Sequence, residues 1–141
     1  LIKNIKFYDN EDGLLIHADN LCEEKISNLI NAHKQRPKNC LITLISFRTP
    51  KPSTCGILEV DKNNIVRTIH EKVKNPPGNL ANGAVYILSK EVYPIIEKKY
   101  KHAVDFTLEI LKNFEGQIYS YETTNRFVDI GSVENYMSVS K

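Results

Sequence analysis

Apolar residues fall along this chain in short blocks whose spacing alternates between the periods of strands and helices. Leu14, Leu15 and Ile16 form an unbroken run that reads, with His17, as a short strand buried inside a parallel sheet. From Glu23 onward, Ile26, Leu29, Ile30 and His33 recur at helical spacing. Glu23 and Glu24 suit the positive end of that helix, and Pro37 suits its stop. Leu41 to Phe47 (LITLISF) is the next strand. Strand, helix, strand in this order favours a parallel sheet with a right-handed crossover.

Further on, Thr49 to Ser53 holds two prolines and reads as a loop. Gly56 to Val60 and Ile65 to His70 read as two strands joined by a turn over Asp61 to Asn64. NPPGN at 75–79 is the clearest breaker, and Ala84 to Leu88 the next strand. Ser89 is placed to cap a helix over Lys90 to Lys98, and Asp105 another over Phe106 to Asn113. Gln117 to Tyr121 returns as a strand, Asp129 to Gly131 as a turn, and Ser132 opens a last helix. The pattern predicts one α/β domain over residues 1–141, a mixed sheet flanked by helices. Ligands of such sheets gather outside the carboxyl ends of strands.

Composition narrows the function without naming it. With 141 residues, 41% of them hydrophobic and 26% charged, the chain is that of a globular domain and not a disordered one. A formal charge of +2 gives no dominant field for nucleic acid or an anionic membrane, yet leaves room for a small phosphate pocket. Cys22, Cys40 and Cys55 form no CxxC pair, which argues against a zinc knuckle or a disulfide framework and for reduced thiols in the cytoplasm. No apolar run is long enough to cross a bilayer. The chain opens at Leu1 and reads as a portion of a longer protein.

The chemistry-bearing positions each have two readings. Asp19 ends the run GLLIHADN, either as a cap or as a ligand for a hard cation. Asp129, in FVDIG beside a turn-permitting glycine, is the best candidate for a second carboxylate. Glu71 and Lys72 are either a solvated strand end or a lysine placed to meet a phosphate. Asn79 to Gly83 (NLANG) is either a turn or a set of amides with close backbone approach to a polyhydroxylated ligand. Gly56 offers the same closeness. The four histidines show no zinc spacing, and Ser46, Ser53 and Thr54 lack the glycine elbow of a hydrolase nucleophile.

Taken in order, HADN, CGILEVD, HEKV, NPPGNLANGAVYIL, DFTLEIL and FVDIG resemble the sugar-phosphate nucleotidyltransferases. The likeness is nearest to the branch that makes GDP-activated heptose from D-glycero-D-manno-heptose 1-phosphate, and it runs from Gly13 to Tyr136. It implies a Rossmann-like α/β sandwich that joins a sugar 1-phosphate to the α-phosphorus of a nucleoside triphosphate, GTP in this branch, and releases pyrophosphate. It also implies a role in lipopolysaccharide or capsule precursors. Asp19 and Asp129 would hold Mg²⁺, Lys72 would meet the sugar phosphate, and Glu71 would bond the sugar. Gly56, Asn82 and Gly83 would approach the sugar, and Asp105 and Phe106 would shape the pocket wall.

This sequence departs from the family pattern in four places. Ala18 stands for a glycine, Phe127 for a tryptophan, and Val73 for the proline of Glu-Lys-Pro. No glycine-rich, triphosphate-wrapping loop occurs, so the chain resembles the carboxyl-terminal part of a catalytic domain. It is therefore expected to be inactive alone and to self-associate through exposed strand edges. The rival reading is a catalytically silent homologue that binds sugar phosphate or serves in assembly.

Overall fold

The computed structural model describes residues 1–8 and 10–139. Its strands are β1 (Gly13–Ile16), β2 (Asn20–Cys22), β3 (Ile42–Arg48), β4 (Gly56–Val60), β5 (Val66–Glu71), β6 (Leu80–Leu88), β7 (Ile118–Glu122) and β8 (Phe127–Asp129). Its α-helices are α1 (Ile26–Gln35), α2 (Val92–Lys99) and α3 (Val133–Val139). Five strands line up as β5-β4-β6-β3-β7, β1 joins the same sheet through β6, and β2 and β8 form a separate ribbon. β3 and β7 run parallel, while the other strand pairs described are antiparallel.

Side-chain alternation along β3 and β6 builds a core on each face, which is why both are buried along most of their length, the polar Thr43 and Ser46 of β3 included. Ile42, Leu44, Tyr86 and Leu88 face α2 and the 106–114 segment, through Ile96 and Leu111. Ile45, Val85 and Ile87 face Leu29 of α1. The sheet is thus covered on both sides, as predicted for a mixed α/β sandwich.

The first strand differs from expectation. β1 is antiparallel to β6 at the margin of the sheet, with Leu14 40% and Ile16 46% exposed. An apolar run reports that a strand is hydrophobic, not which neighbour pairs with it. β1 and β3 do run in the same direction, but β6 lies antiparallel between them. Beside Leu14, an apolar groove is lined by Ile26 and Ile30 of α1 and Ile87.

Helix starts also differ, for identifiable reasons. α1 begins at Ile26 because Glu23 N–H bonds Arg126 O and prolongs the β2–β8 ribbon. α2 begins at Val92, whose N–H bonds the Ser89 carbonyl, while the Ser89 hydroxyl is buried and accepts from Arg36 Nη2 at 2.7 Å. Asp105 does cap its segment, accepting from Leu108 N–H at 2.8 Å. That segment is a wide π turn (Phe106–Ile110) followed by a tight 3-10 turn (Leu111–Phe114), not one α-helix. Ser132 caps α3 through Asn135 N–H. The turn between β4 and β5 is an Asx turn, Asp61 Oδ1 accepting from Asn63 and Ile65 N–H. Among the described residues no helix is long and apolar enough to cross a membrane, and the three cysteines are free.

His33 ties α1 to the sheet and is 4% exposed. Its Nδ1 lies 2.7 Å from Thr43 Oγ1 and its Nε2 3.4 Å from Asp12 Oδ2. Burial holds its pKa below the ordinary histidine value, the Arg36 charge adds to this, and Asp12 and Glu91 oppose it. The unfolded chain therefore takes up a proton more readily than the folded one. Stability is expected to be full above about pH 6.5 and to fall as pH drops through that value. Melting temperatures of the wild type and His33→Gln at pH 7.5 and 5.5 check this, with the smaller pH loss expected in the variant.

Candidate active site in a break of the sheet

β6 carries β3 along one edge, while its other edge is shared by β4, at Ala81, and β1, from Val85 to Leu88. Between those partners, Asn82, Gly83 and Ala84 form a bulge: β6 uses residues 82 to 86 where β3 uses 44 to 46. Ala84 has the left-handed φ of 51°. The Asn-Gly pair is therefore a bulge inside a strand and not a hairpin turn. A cleft of about 190 Å³ opens at this break.

Six residues singled out from the sequence line it: Asp19, Gly56, Glu71, Lys72, Asn82 and Asp129. They arrive from separate segments. Asp19 precedes β2 and Asp129 ends β8, and pairing of Asn20 with Asp129 brings the two acids to the same end of the ribbon. Ile130 N–H bonds Asp19 O at 2.8 Å and closes that end. A Cβ built on Gly131 would stand 3.0 Å from Asp129 Oδ1 and 3.2 Å from Asp19 Oδ2. Both carboxylates thus reach the space of one absent methyl group. That oxygen-only pair suits a hard cation that takes its other ligands from phosphate and water. Among the described residues no three His, Cys, Asp or Glu side chains gather as a metal cage.

The opposite wall comes from β4 and β5. Gly56 pairs with Glu71, and a Cβ on Gly56 would lie 2.5 Å from Glu71 Oε2. The missing side chain is what lets that carboxylate fold across the wall. Lys72 follows with φ of 47°, and its N–H bonds Cys55 O at 3.2 Å. A left-handed lysine costs roughly 1 kcal/mol or more, which the surrounding contacts must sustain.

Asn82 is held at both ends of its amide: Nδ2 donates to Tyr86 Oη at 2.9 Å and Oδ1 accepts from Ala84 N–H at 3.0 Å. One amide proton remains for a ligand. Burial pushes the Tyr86 pKa up to about 12, against the hydrogen bonds from Asn82 and Thr107, so it stays a neutral phenol. Phe127 stacks on Phe47 with centroids 4.2 Å apart and supplies an aromatic side of the cleft. Gly83 does not line the cleft; it sits beneath Phe127, whose ring is 3.0 Å from where its Cβ would be. Asp105 and Phe106 also lie outside the lining, which takes Thr107 from the same turn. Phe106 instead packs edge-on against Tyr86.

Sequence reasoning missed His17, Asn20, Phe47, Thr54, Cys55, Ala84 and Thr107, all in the lining. His17 stands two residues before Asp19 and Cys55 one before Gly56, so adjacency to a candidate was the available signal. Nothing local marked Phe47 or Thr107.

Fold and cleft define an α/β protein that gathers acids, a lysine and an amide where its sheet is interrupted. The chain belongs to the nucleotidyl transferase family, whose model matches residues 1–141. A glucose-1-phosphate adenylyltransferase of Mycoplasma mobile is 28% identical over 147 residues, spanning 96% of this chain and 38% of its own. A mannose-1-phosphate guanyltransferase of Saccharomyces cerevisiae is 27% identical over 140 residues, spanning 98% of this chain and 38% of its own. The crystal structure of HddC from Yersinia pseudotuberculosis, complexed with GMP-PN, superposes with a TM-score of 0.76 at 25% identity. That match covers 97% of this chain and 57% of the other. The chain thus spans well under half the length of these curated relatives.

Proposed function

We propose that this chain is the carboxyl-terminal part of the catalytic domain of a sugar-1-phosphate nucleotidyltransferase. The complete enzyme transfers a nucleoside monophosphate to a sugar 1-phosphate and releases pyrophosphate. The observation that carries this reading is the convergence of Asp19, Asp129, Lys72, Glu71 and Asn82 on one cleft. Family membership supports the reaction class. Guanine as the base rests on the branch resemblance of the sequence motifs; the relatives include an adenylyltransferase as well as a guanyltransferase. D-glycero-D-manno-heptose 1-phosphate as the sugar rests on the order of the sequence motifs.

In this reading a phosphate oxygen of the sugar attacks the α-phosphorus in line, and pyrophosphate leaves on the far side. Two anions must approach, so catalysis is chiefly positioning and charge neutralisation. Lys72 offsets the charge of the sugar phosphate, while Glu71 and the free Asn82 amide proton orient sugar hydroxyls. Asp19 and Asp129 would hold Mg²⁺, which supplies positive charge to the phosphoryl oxygens. We place the enzyme in the cytoplasm. The exposed Leu14, Ile16, Ile26 and Ile30 are the surface through which the isolated chain would self-associate.

Pyrophosphate release from GTP and heptose 1-phosphate by the complete enzyme tests the reading. No turnover with retained sugar-phosphate binding favours a binding or assembly module instead. Lys72→Met is expected to raise the KM for sugar 1-phosphate roughly ten- to a hundredfold, the worth of one charged hydrogen bond. Steady-state titration of each substrate checks this, and an equal rise in the KM for GTP would remove Lys72 from the sugar side.

A further inference from the structure

One buried acid stands outside the cleft. Glu24 is 7% exposed, and no cation pairs with it in the described ion pairs. Its Oε2 accepts from Thr123 Oγ1 and from Asn125 Nδ2 at 2.8 Å. Its Oε1 accepts from Asn28 Nδ2 at 2.8 Å and Lys25 N–H at 3.0 Å. Burial by itself would raise the pKa of this carboxyl; the donors from Thr123, Asn28, Asn125 and Lys25 outweigh it and hold the group below its ordinary value. A buried anion satisfied on both oxygens fixes three segments at once: the end of β2, the 123–125 stretch that leads into β8, and the first turn of α1.

Those segments frame the ribbon that carries both cleft acids. The β2–β8 ribbon has only three ladder pairs and is separate from the main sheet. Two strands of that length are marginal unless something anchors them. Cys22 and Phe127 pack on the Leu29 core, and the far end is closed by Ile130 N–H on Asp19 O. Register is all-or-nothing here, because a one-residue slip turns every side chain to the other face.

We propose that Glu24 is a positioning residue for the Asp19–Asp129 pair: it locks the end of the ribbon opposite the two acids and so sets the register that makes the two carboxylates meet. It acts through roughly 15 Å of extended chain and touches no substrate. This rests on the reading of the acid pair as a cation site, so the test separates the two.

In the complete enzyme, Glu24→Gln replaces an accepting oxygen with an amide NH₂ among four donors. Hydrogen exchange at the Ile130 amide, which reports the closed ribbon end, is expected to speed up at least about tenfold. Mn²⁺ affinity, read by paramagnetic relaxation, is expected to fall roughly ten- to a hundredfold. Ile96→Val on the far face of the sheet, matched for melting temperature, is expected to move neither. The proposal is overturned if Ile130 exchange in folded Glu24→Gln stays within about twofold of wild type, or if Ile96→Val shows the same losses. Should Glu24→Gln fail to fold, Thr123→Val removes one donor and is expected to give smaller shifts in the same direction. Unchanged exchange in that variant overturns the proposal equally. A wild type that binds no Mn²⁺ would sink the cation reading, while the Ile130 exchange would still decide the role of Glu24.

Discussion

Asp19→Asn in the complete enzyme is expected to cut turnover about 10²- to 10³-fold, the scale of losing one preorganised electrostatic contact in an active site. Sugar 1-phosphate affinity is expected to change far less, because Lys72, Glu71 and Asn82 on the other wall are untouched. Fold loss does not confound this substitution. The structural duty of residue 19 is carried by its backbone carbonyl, which accepts from Ile130 N–H, and asparagine keeps that group and the side-chain shape. Melting temperature should therefore hold while kcat falls. If the two acids work as one site, Asp129→Asn should cost a similar factor and the double variant little more, since groups acting as a unit are not additive. Rates and sugar affinity measured side by side decide it, and normal turnover in Asp19→Asn removes this residue from the mechanism.

Gly83→Ala is expected to cost about 1 to 3 kcal/mol of stability, the range of overpacking a tight interior site. The added methyl would stand 2.8 Å from the Ile45 carbonyl and about as close to the Phe127 ring. A strand backbone in the middle of a sheet cannot withdraw, so Phe127 is the group that moves. Its stack on Phe47 should loosen, and the ribbon should shift with it. Sugar 1-phosphate binding is thus expected to fall along with the melting temperature. Gly78→Ala is the control. No atom lies within 4 Å of the place its methyl would take, and its effect should stay within about 0.5 kcal/mol. Equal effects at the two glycines would show that the Phe127 seat does not matter.

The order of the longer elements was legible because periodicity is a local property, whereas β2 and β8, three residues each, are too short to show a period, and Asp129 read as part of a turn. The LITLISF run, the Asx turn at Asp61 and the caps at Asp105 and Ser132 all appear where their residue chemistry puts them. Boundaries slipped where a side chain had a stronger distant partner. Ser89 has the chemistry of a cap, but its hydroxyl is taken by Arg36 from another element. Glu24 has the charge that suits a helix start, yet it is buried against Thr123 and Asn125, about a hundred positions along the chain. Asp19 and Asp129 were each visible as acids beside short apolar stretches, whereas Phe47 and Thr107 had no local mark.

From sequence alone came the α/β class, the succession of helical segments and of every strand but β2 and β8, and the six cleft residues with a type of chemistry open to each. These follow from hydrophobic period, turn propensity and side-chain functional groups, which need no partner to be read. Only the folded chain decided that β1 sits antiparallel at a sheet margin, that NLANG bulges inside a strand, and that the two acids share one end of a ribbon. Such outcomes depend on which distant segments pair, and pairing is chosen by the joint burial and hydrogen bonding of the whole chain.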